Sequence, residues 1–408
     1  MSSAPVQPHQ RIQYLDVLRG FALAGVLFIF CVSDVGSAPG YSFSFADKVI
    51  DWFKYLLIEN RMYTMLIMIF GIGFYVQLEK AKRDGSSLIP VFTRRLTGLL
   101  ILGFIHAILL STRDILMFYA IAGVVLLFVR NATTKFLFAI VLILFLVAVP
   151  VIEMLFQNPY LKAAGLVEPN NYPSYLQYNW QFFKLYHQVY PIYIDMIIHF
   201  LLGFCIGRAR ILQKIKTDKK FRKNLVIISI AGMAILIPFY YYWILEVFLG
   251  IVIKMKNSWE KFPAVMGIRL IGELLMVVCA MTYATLLISF SNSARGKRLL
   301  SPLAAFGQMA LSNYLIQSLI LVPYLLLGDK FNNLPPFNGF ILFLVLFALQ
   351  ILFSAWWISH YTLGPFEWLL RSFTYWKWQS IKRSVAAEKN HVAIDRTITT
   401  SGHELKYS

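Results

Sequence analysis

Activating a hydroxyl or amine away from water requires a proton acceptor that works near neutral pH, and an imidazole set in an apolar helix can do this. His106 is such a group, in the run Leu99-Leu100-Ile101-Leu102-Gly103-Phe104-Ile105-His106-Ala107. It lies ten residues into a helix expected over 96–112, about 15 Å deep and near mid-bilayer. Ser111, Thr112, Arg113 and Asp114 then form a tight charged hairpin, so a carboxylate and a guanidinium flank the same end. A second polar group, Asn313, Tyr314 and Gln317, falls at similar depth in a helix expected over 302–327 and could face His106 across a bundle. His106, Asp114 and Asn313 are the catalytic candidates. Asp16, Arg19, Arg113, Tyr119, Tyr314 and Gln317 are the substrate-binding candidates, and no metal-ligand spacing occurs. The plainer reading of the histidine and the amides, helix-to-helix hydrogen bonding, stays open.

An ionisable side chain inside a bilayer costs about 2.5–3.5 kcal/mol on insertion scales, so each one asks for a partner or a task. Asp16 and Arg19 stand three apart, one helical turn, and can pair at the start of the first helix. Asp195 and His199, four apart, read as a local pair; Glu273 has Arg269 one turn earlier; Arg61 at a helix start can snorkel to headgroups.

The elements that must position these groups follow from composition. A 408-residue chain with 58% hydrophobic and 14% charged residues is a membrane protein. Its runs do not alternate, so helices rather than a barrel are expected: an all-α polytopic protein of about ten spans. The expected spans cover 17–34, 61–79, 96–112, 114–130, 135–157, 191–210, 224–249, 264–290, 302–327 and 338–360. The +18 charge sits in short clusters between these runs, which suits topology and argues against nucleic acid. Lys80, Lys82, Arg83, Arg94 and Arg95, then Arg130 and Lys135, then Arg208 to Lys223, then Arg295, Lys297 and Arg298 place both termini in the cytoplasm; Lys254, Lys256 and Lys261 fall on the other side against that trend.

The domain reading is a cytoplasmic segment 1–16, a helical membrane domain 17–360, an interfacial segment 361–385 and a disordered tail 386–408. Residues 41–60 are expected to lie at the outer interface, as are the aromatics of the 158–190 connection. The first apolar run ends in Gly36-Ser37-Ala38 like a cleaved leader, yet Pro39 would follow the cut and resists protease pairing, so the run is kept as a helix. Cys31, Cys205 and Cys279 read as core thiols. No P-loop, GxSxG elbow, His-Glu-x-x-His or GxGxxG motif is present, and Gly71 and Gly73 read as helix-packing positions.

Four segments carry a resemblance: Leu15-Asp16-Val17-Leu18-Arg19-Gly20-Phe21; Phe70-Gly71-Ile72-Gly73-Phe74; Arg94-Arg95-Leu96 with Gly103-Phe104-Ile105-His106 and Asp114-Ile115-Leu116; and Gly307-Gln308-Met309-Ala310-Leu311-Ser312-Asn313-Tyr314-Leu315-Ile316-Gln317-Ser318. Gly364-Pro365-Phe366-Glu367-Trp368 closes the pattern. From about Arg11 to Trp376 the chain resembles the YeiB-like family of bacterial inner-membrane proteins, named for domain of unknown function 418. That family is distantly similar to transmembrane acyltransferases, which share an Arg-Gly first helix. The resemblance implies acyl transfer and a multi-pass bacterial inner-membrane location. In the acyltransferase-3 group a histidine near the end of the first helix is the expected base; Phe30 stands at that position here and cannot take a proton.

The expectation is therefore an acyltransferase that moves an acyl group from cytoplasmic acyl-CoA, with no tightly bound cofactor, to a lipid or glycan acceptor in or beyond the membrane. His106 would be the base, Arg113 and Asp114 would tune the outer mouth, and Asn313, Tyr314 and Gln317 would orient the acyl carbonyl. Arg19 and the basic clusters would attract the donor's phosphates. The alternative is a transporter or lipid-handling protein whose buried polar residues line a path. A scaffold or sensor is a third option, for which a large soluble domain would be expected. Partners are the bilayer, these substrates and a second copy in a homo-oligomer.

Overall fold

The computed structural model describes residues 13–32, 42–110, 114–148, 171–186, 190–241, 258–326 and 334–382. The described residues form helices and no strand; a single-residue bridge pairs Tyr361 with Lys382. In chain order the helices are α1 Gln13–Cys31, α2 Phe45–Phe53, α3 Arg61–Arg83, α4 Ile89–Leu109, α5 Leu116–Phe128, α6 Thr134–Ile143, α7 Tyr172–Tyr186 and α8 Tyr190–Arg208. They continue with α9 Ile211–Thr217, α10 Lys219–Phe239, α11 Ser258–Ser291, α12 Ala294–Gln308, α13 Ala310–Leu326, α14 Pro336–His360 and α15 Pro365–Tyr375.

The protein is a multi-pass membrane protein. Six helical stretches among the described residues are long and apolar enough to cross a bilayer: α1, the Phe45–Arg83 stretch, α4, α10, Leu270–Ser291 of α11, and α14. The bent pairs α8/α9 and α12/α13 bring the number to eight if each is one span. At 13 residues α5 is about 20 Å long, shorter than the span expected over 114–130. The span expected over 302–327 is two helices: the chain turns by 73° at Met309, between α12 and α13. Pro302 lies inside α12, and hydropathy alone does not report the bend that follows.

Two backbone seams organise the bundle. A Cβ on Gly20 of α1 would sit 2.2 Å from the Leu303 carbonyl of α12, and one on Gly307 would sit 1.9 Å from that of Asp16. Likewise Gly71 of α3 meets the Phe200 carbonyl and Gly203 of α8 meets that of Met68, at 2.2 and 2.1 Å from an added Cβ. Glycines at such contacts let helix backbones touch, the small-residue packing that drives association in lipid. Around the second seam Phe70, Phe74, Phe92, Phe200 and Phe204 interlock; around the first, Leu23, Leu99, Leu116, Phe306 and Tyr314 join α1, α4, α5, α12 and α13.

The basic residues gather at one end of the bundle, where α3 closes with Lys80, Lys82 and Arg83, and α8 with Arg208. There α9 carries Lys214 and Lys216, and Arg210 pairs with Glu79 at 2.6 Å. α15 packs there too, with Leu370 and Phe373 against Gly98 of α4 and the Thr374 carbonyl accepting from Arg94 at 3.2 Å. At the far end α2 runs through a π-helical turn, Lys54–Ile58, into α3. There α7 covers the end of α4: Asn179 donates to the carbonyl of Ile108, Tyr172 to that of Leu109 and Tyr175 to that of Leu110. These bonds satisfy carbonyls that a helix end leaves without intrahelical partners. Cys31, Cys205 and Cys279 are free and buried. The leader-like stretch 36–39, Lys254, Lys256 and the 386–408 tail lie outside the described residues.

Candidate functional site

His106 sits three residues before the last residue of α4, so it lies toward the far end of the bundle rather than at mid-helix; the helix begins at Ile89, earlier than hydropathy suggested, and Pro90 fits its first turn. The chain then turns back, and Asp114 opens α5. His106 Nδ1 and Asp114 Oδ1 are 2.9 Å apart, and Asp114 Oδ2 accepts from the Met117 N–H at 2.7 Å. The carboxylate therefore caps α5 and fixes the imidazole with its two oxygens. Gly103 allows this: a Cβ there would stand 2.7 Å from Asp114 Oδ2 and 2.6 Å from the Met117 nitrogen.

The other ring nitrogen, Nε2, is 2.8 Å from Ser318 Oγ on α13. An ionised Asp114 can only accept, so the tautomer assigned from these partners has the proton on Nδ1, and Ser318 donates to Nε2. Tyr314, one turn before Ser318, lays its ring 4.9 Å from the imidazole and accepts from the Ile115 N–H at 3.3 Å. His106, Asp114 and Ser318 are 1%, 2% and 5% exposed, so the line Asp114–His106–Ser318 is shielded from water. It is the arrangement in which a carboxylate orients an imidazole that takes the proton of a serine hydroxyl.

Asn313 and Gln317 do not face His106. Asn313 Nδ2 donates to the Phe306 carbonyl at 3.0 Å and to Ser354 Oγ at 2.9 Å. Gln317 Nε2 donates to Gln350 Oε1 at 3.0 Å, and Gln350 Nε2 to the Asn313 carbonyl at 3.3 Å. Backbone carbonyls at both ends of this network set its direction, so both N–H donors of Asn313 and one of the two of Gln317 are engaged within α12, α13 and α14. The atoms left over are the oxygens Asn313 Oδ1 and Gln317 Oε1, which have no hydrogen-bond partner. Acceptors cannot hold an acyl carbonyl or an oxyanion, so the orienting role expected of Asn313 is corrected: both of its donors are taken, and its free atom is an oxygen.

Glu367 of α15, not singled out by chemistry in the sequence, secures the start of α13. Its Oε1 accepts from the Leu311 and Ser312 N–H groups at 2.6 and 3.1 Å, and Oε2 lies 2.5 Å from Ser312 Oγ. Burial pushes its carboxyl above the usual range, and the bonds from Ser312 and Leu311 pull back against that rise.

The remaining candidates fall elsewhere. Asp16 and Arg19 form the expected pair at 2.8 Å. The Arg19 guanidinium lies beside Gly73 of α3, 4.0 Å from where a Cβ would be. Arg95, stacked over Phe70 at 5.2 Å, lies within electrostatic reach of Arg19 and Tyr375, and Tyr375 within that of Arg371. Arg19, Arg95 and Arg371 thus gather near the basic end. Eleven residues separate Arg95 from His106 along α4, a rise of about 16 Å. Tyr119 packs with Phe70 and Phe200, apart from His106, and its hydroxyl has no partner. His199 Nδ1 bonds the Asp195 backbone carbonyl at 2.7 Å, and its Nε2 lies 3.2 Å from Glu273 Oε2; the carboxylate opposite this histidine is on α11, not the expected Asp195. Arg61 does not snorkel: it is buried and donates to the carbonyls of Tyr55 and Glu59. Arg113 and the side chain of Arg269 lie outside the described residues. Among the described residues no cluster of metal-ligating side chains occurs.

Residues 11–179 match the family model described as heparan-alpha-glucosaminide N-acetyltransferase, catalytic, and residues 206–377 match protein of unknown function DUF418. The chain is 28% identical to uncharacterized protein YxaH of Bacillus subtilis, over 94% of this chain and 98% of that protein. It is 25% identical to uncharacterized protein YeiB of Escherichia coli, over 88% and 95% of the two chains. The DUF418 match covers the C-terminal stretch, and along most of its length the chain is similar to YxaH and YeiB. No solved structure matches it.

The site joins the two matched regions. His106 and Asp114 come from the acetyltransferase-like part, Ser318 and Tyr314 from the DUF418 part. Ser318 could have been read from sequence by pairing it with Tyr314: residues four apart share a helix face, and Asn313 with Gln317 occupy the neighbouring one.

Proposed function

We propose that this protein is a membrane acyltransferase that takes an acyl group from a cytoplasmic acyl-CoA and transfers it to a hydroxyl or amine of a lipid or glycan acceptor on the opposite side. The observation that carries this reading is His106, oriented by Asp114 and presenting Nε2 to a hydroxyl. The match of the same region to an acetyltransferase catalytic model supports it. In this reading the basic end faces the cytoplasm, both termini lie there, the chain spans about ten times, and the membrane is the bacterial inner membrane. Arg19, Arg95 and Arg371 hold the donor's phosphates, and the rise of about 16 Å from Arg95 to His106 is the stretch an extended pantetheine arm has to cover. Asn313 Oδ1 and Gln317 Oε1, one turn apart and lacking donors, suit the amide N–H groups of such an arm.

The test is acyl-CoA binding and turnover by the purified detergent-solubilised protein, compared with His106→Gln and Arg19→Ala. Arg19→Ala should weaken binding, and His106→Gln should bind normally while losing turnover. A folded wild-type protein that binds no acyl-CoA of any chain length sinks the reading. Proton-coupled transport is the second reading, and the buried His199–Glu273 contact favours it. A Glu273→Gln variant that loses function while His106→Gln keeps it would put transport first.

A further inference from the structure

We propose that Ser318 is the acyl carrier of this site, forming a covalent ester between the donor and acceptor half-reactions. The proposal rests on the acyl-transfer reading above. Three observations lead to it.

The first is the way the serine is bonded. Helical serines and threonines in an apolar span commonly turn their hydroxyls back onto the preceding turn. In α11 this is the pattern: Thr282 donates to the Val278 carbonyl, Thr285 to Met281 and Ser289 to Thr285. Ser318 instead reaches across the bundle to a histidine on another helix.

The second is that Ser318 occupies the basic nitrogen. Nδ1 is engaged by Asp114, and Nε2 is met by Ser318 Oγ at 2.8 Å. The proton within reach of the base is therefore the serine's own, and the nucleophile it produces is Ser318 Oγ.

The third is placement. Ser318 lies eight residues into α13, about 12 Å above the bend at Met309, with Tyr314 and the Arg95 level on its basic side. Asp114 and the α7-covered end of α4 lie on its other side. A carrier at this depth lets a donor from one end and an acceptor from the other come one at a time.

The chemistry balances without any co-reactant. Ser318 Oγ attacks the thioester carbonyl carbon while its proton passes to His106 Nε2. The C–S bond breaks, the thiolate takes that proton, and CoA leaves as the thiol, with the acyl group on Ser318 as an oxygen ester. An acceptor hydroxyl or amine then attacks the ester carbon and gives its proton to Nε2. The ester C–O bond breaks, and Ser318 Oγ recovers the proton. Asp114 stays ionised and stabilises the imidazolium formed in both halves.

The experiment uses the full-length protein in detergent with radiolabelled acetyl-CoA and palmitoyl-CoA and no acceptor. The expected result is a burst of about one CoA thiol per protein with at least one donor, and label on the peptide containing Ser318, stable to neutral and cleaved by alkaline hydroxylamine as an oxygen ester is. Ser318→Ala and His106→Gln should lose burst and label while binding the donor normally. Ser318→Cys should restore a burst with label now sensitive to neutral hydroxylamine, and it serves as the test if Ser318→Ala does not fold. Donor turnover in Ser318→Ala at the wild-type rate overturns the carrier and leaves acyl transfer standing. A wild-type protein that turns over donor with no label on Ser318 does the same. A folded wild-type protein that neither binds nor consumes either donor removes the acyl-transfer reading itself, and the carrier with it.

Discussion

Asp114 does two jobs through two oxygens: one caps the first turn of α5, the other holds His106. Asp114→Asn keeps an acceptor for one job but can present an N–H toward Nδ1, which favours the wrong imidazole tautomer. Acyl-CoA turnover should fall about 10²–10⁴-fold, with donor binding unchanged. Gly103→Ala separates packing from chemistry. Its methyl would press on Asp114 Oδ2 and the Met117 nitrogen, so we expect about 1–3 kcal/mol of destabilisation. The melting temperature should drop, and turnover at a temperature where the variant is fully folded should drop as well. A variant with lowered stability and full turnover would detach Gly103 from the site. At this scale the sequence was legible for His106, Asp114 and the Asp16–Arg19 pair, because each is a local pattern or an isolated polar group in an apolar run. The partner of His199 was not, since a contact between α8 and α11 leaves no trace in the spacing of either helix.

Among the helices α13 decides the most. Sequence reading found the right helix but grouped residues of two faces: Asn313 and Gln317 look to α14, while Tyr314, named with them, and Ser318, one residue on and about 100° around, look to α4. Which face meets which neighbour depends on the turn at Met309, and that turn depends on Glu367 capping the new helix start. Glu367→Ala should cost about 0.5–2 kcal/mol, as loss of a helix cap does, and should reduce turnover by disturbing Ser318. The glutamate also makes stability depend on pH. Its folded pKa is raised, so its contribution is complete below the ordinary carboxylate pKa of about 4.3 and is lost as pH rises through the raised folded value. Melting of the wild type should therefore weaken from acid toward neutral pH, and Glu367→Gln should flatten that slope. A steeper loss toward acid would show that the capped carboxylate is held ionised instead.

The whole molecule has a basic end and an opposite end where α2 and α7 lie, and the reading above puts the former in the cytoplasm. Because Cys31, Cys205 and Cys279 are buried, single added cysteines can be labelled against a quiet background. Lys297→Cys, on the exposed start of α12, should react with a membrane-impermeant maleimide only after the cells are opened. Gln177→Cys, on the exposed face of α7, should react in intact spheroplasts. The reverse pattern would invert the orientation and the direction of transfer. Hydropathy sufficed for the all-helical membrane class because lipid leaves the backbone few alternatives. It did not give the length of α5 or the bend at Met309, which the contacts between helices decide.

The capping of α13 also bears on how the protein is made. Glu367 lies 55 residues beyond Ser312, so at about 5–20 residues per second it leaves the ribosome roughly 3–11 s after the helix it caps. During that interval the first N–H groups of α13 lack this acceptor, and the Ser318 face has not been fixed against His106. Chains that stop before α15 should reach the bilayer with an unsettled bend and be prime targets for membrane proteases. The last helix of the described fold thus acts as a checkpoint on synthesis, tying survival of the chain to completion of the part that sets its serine.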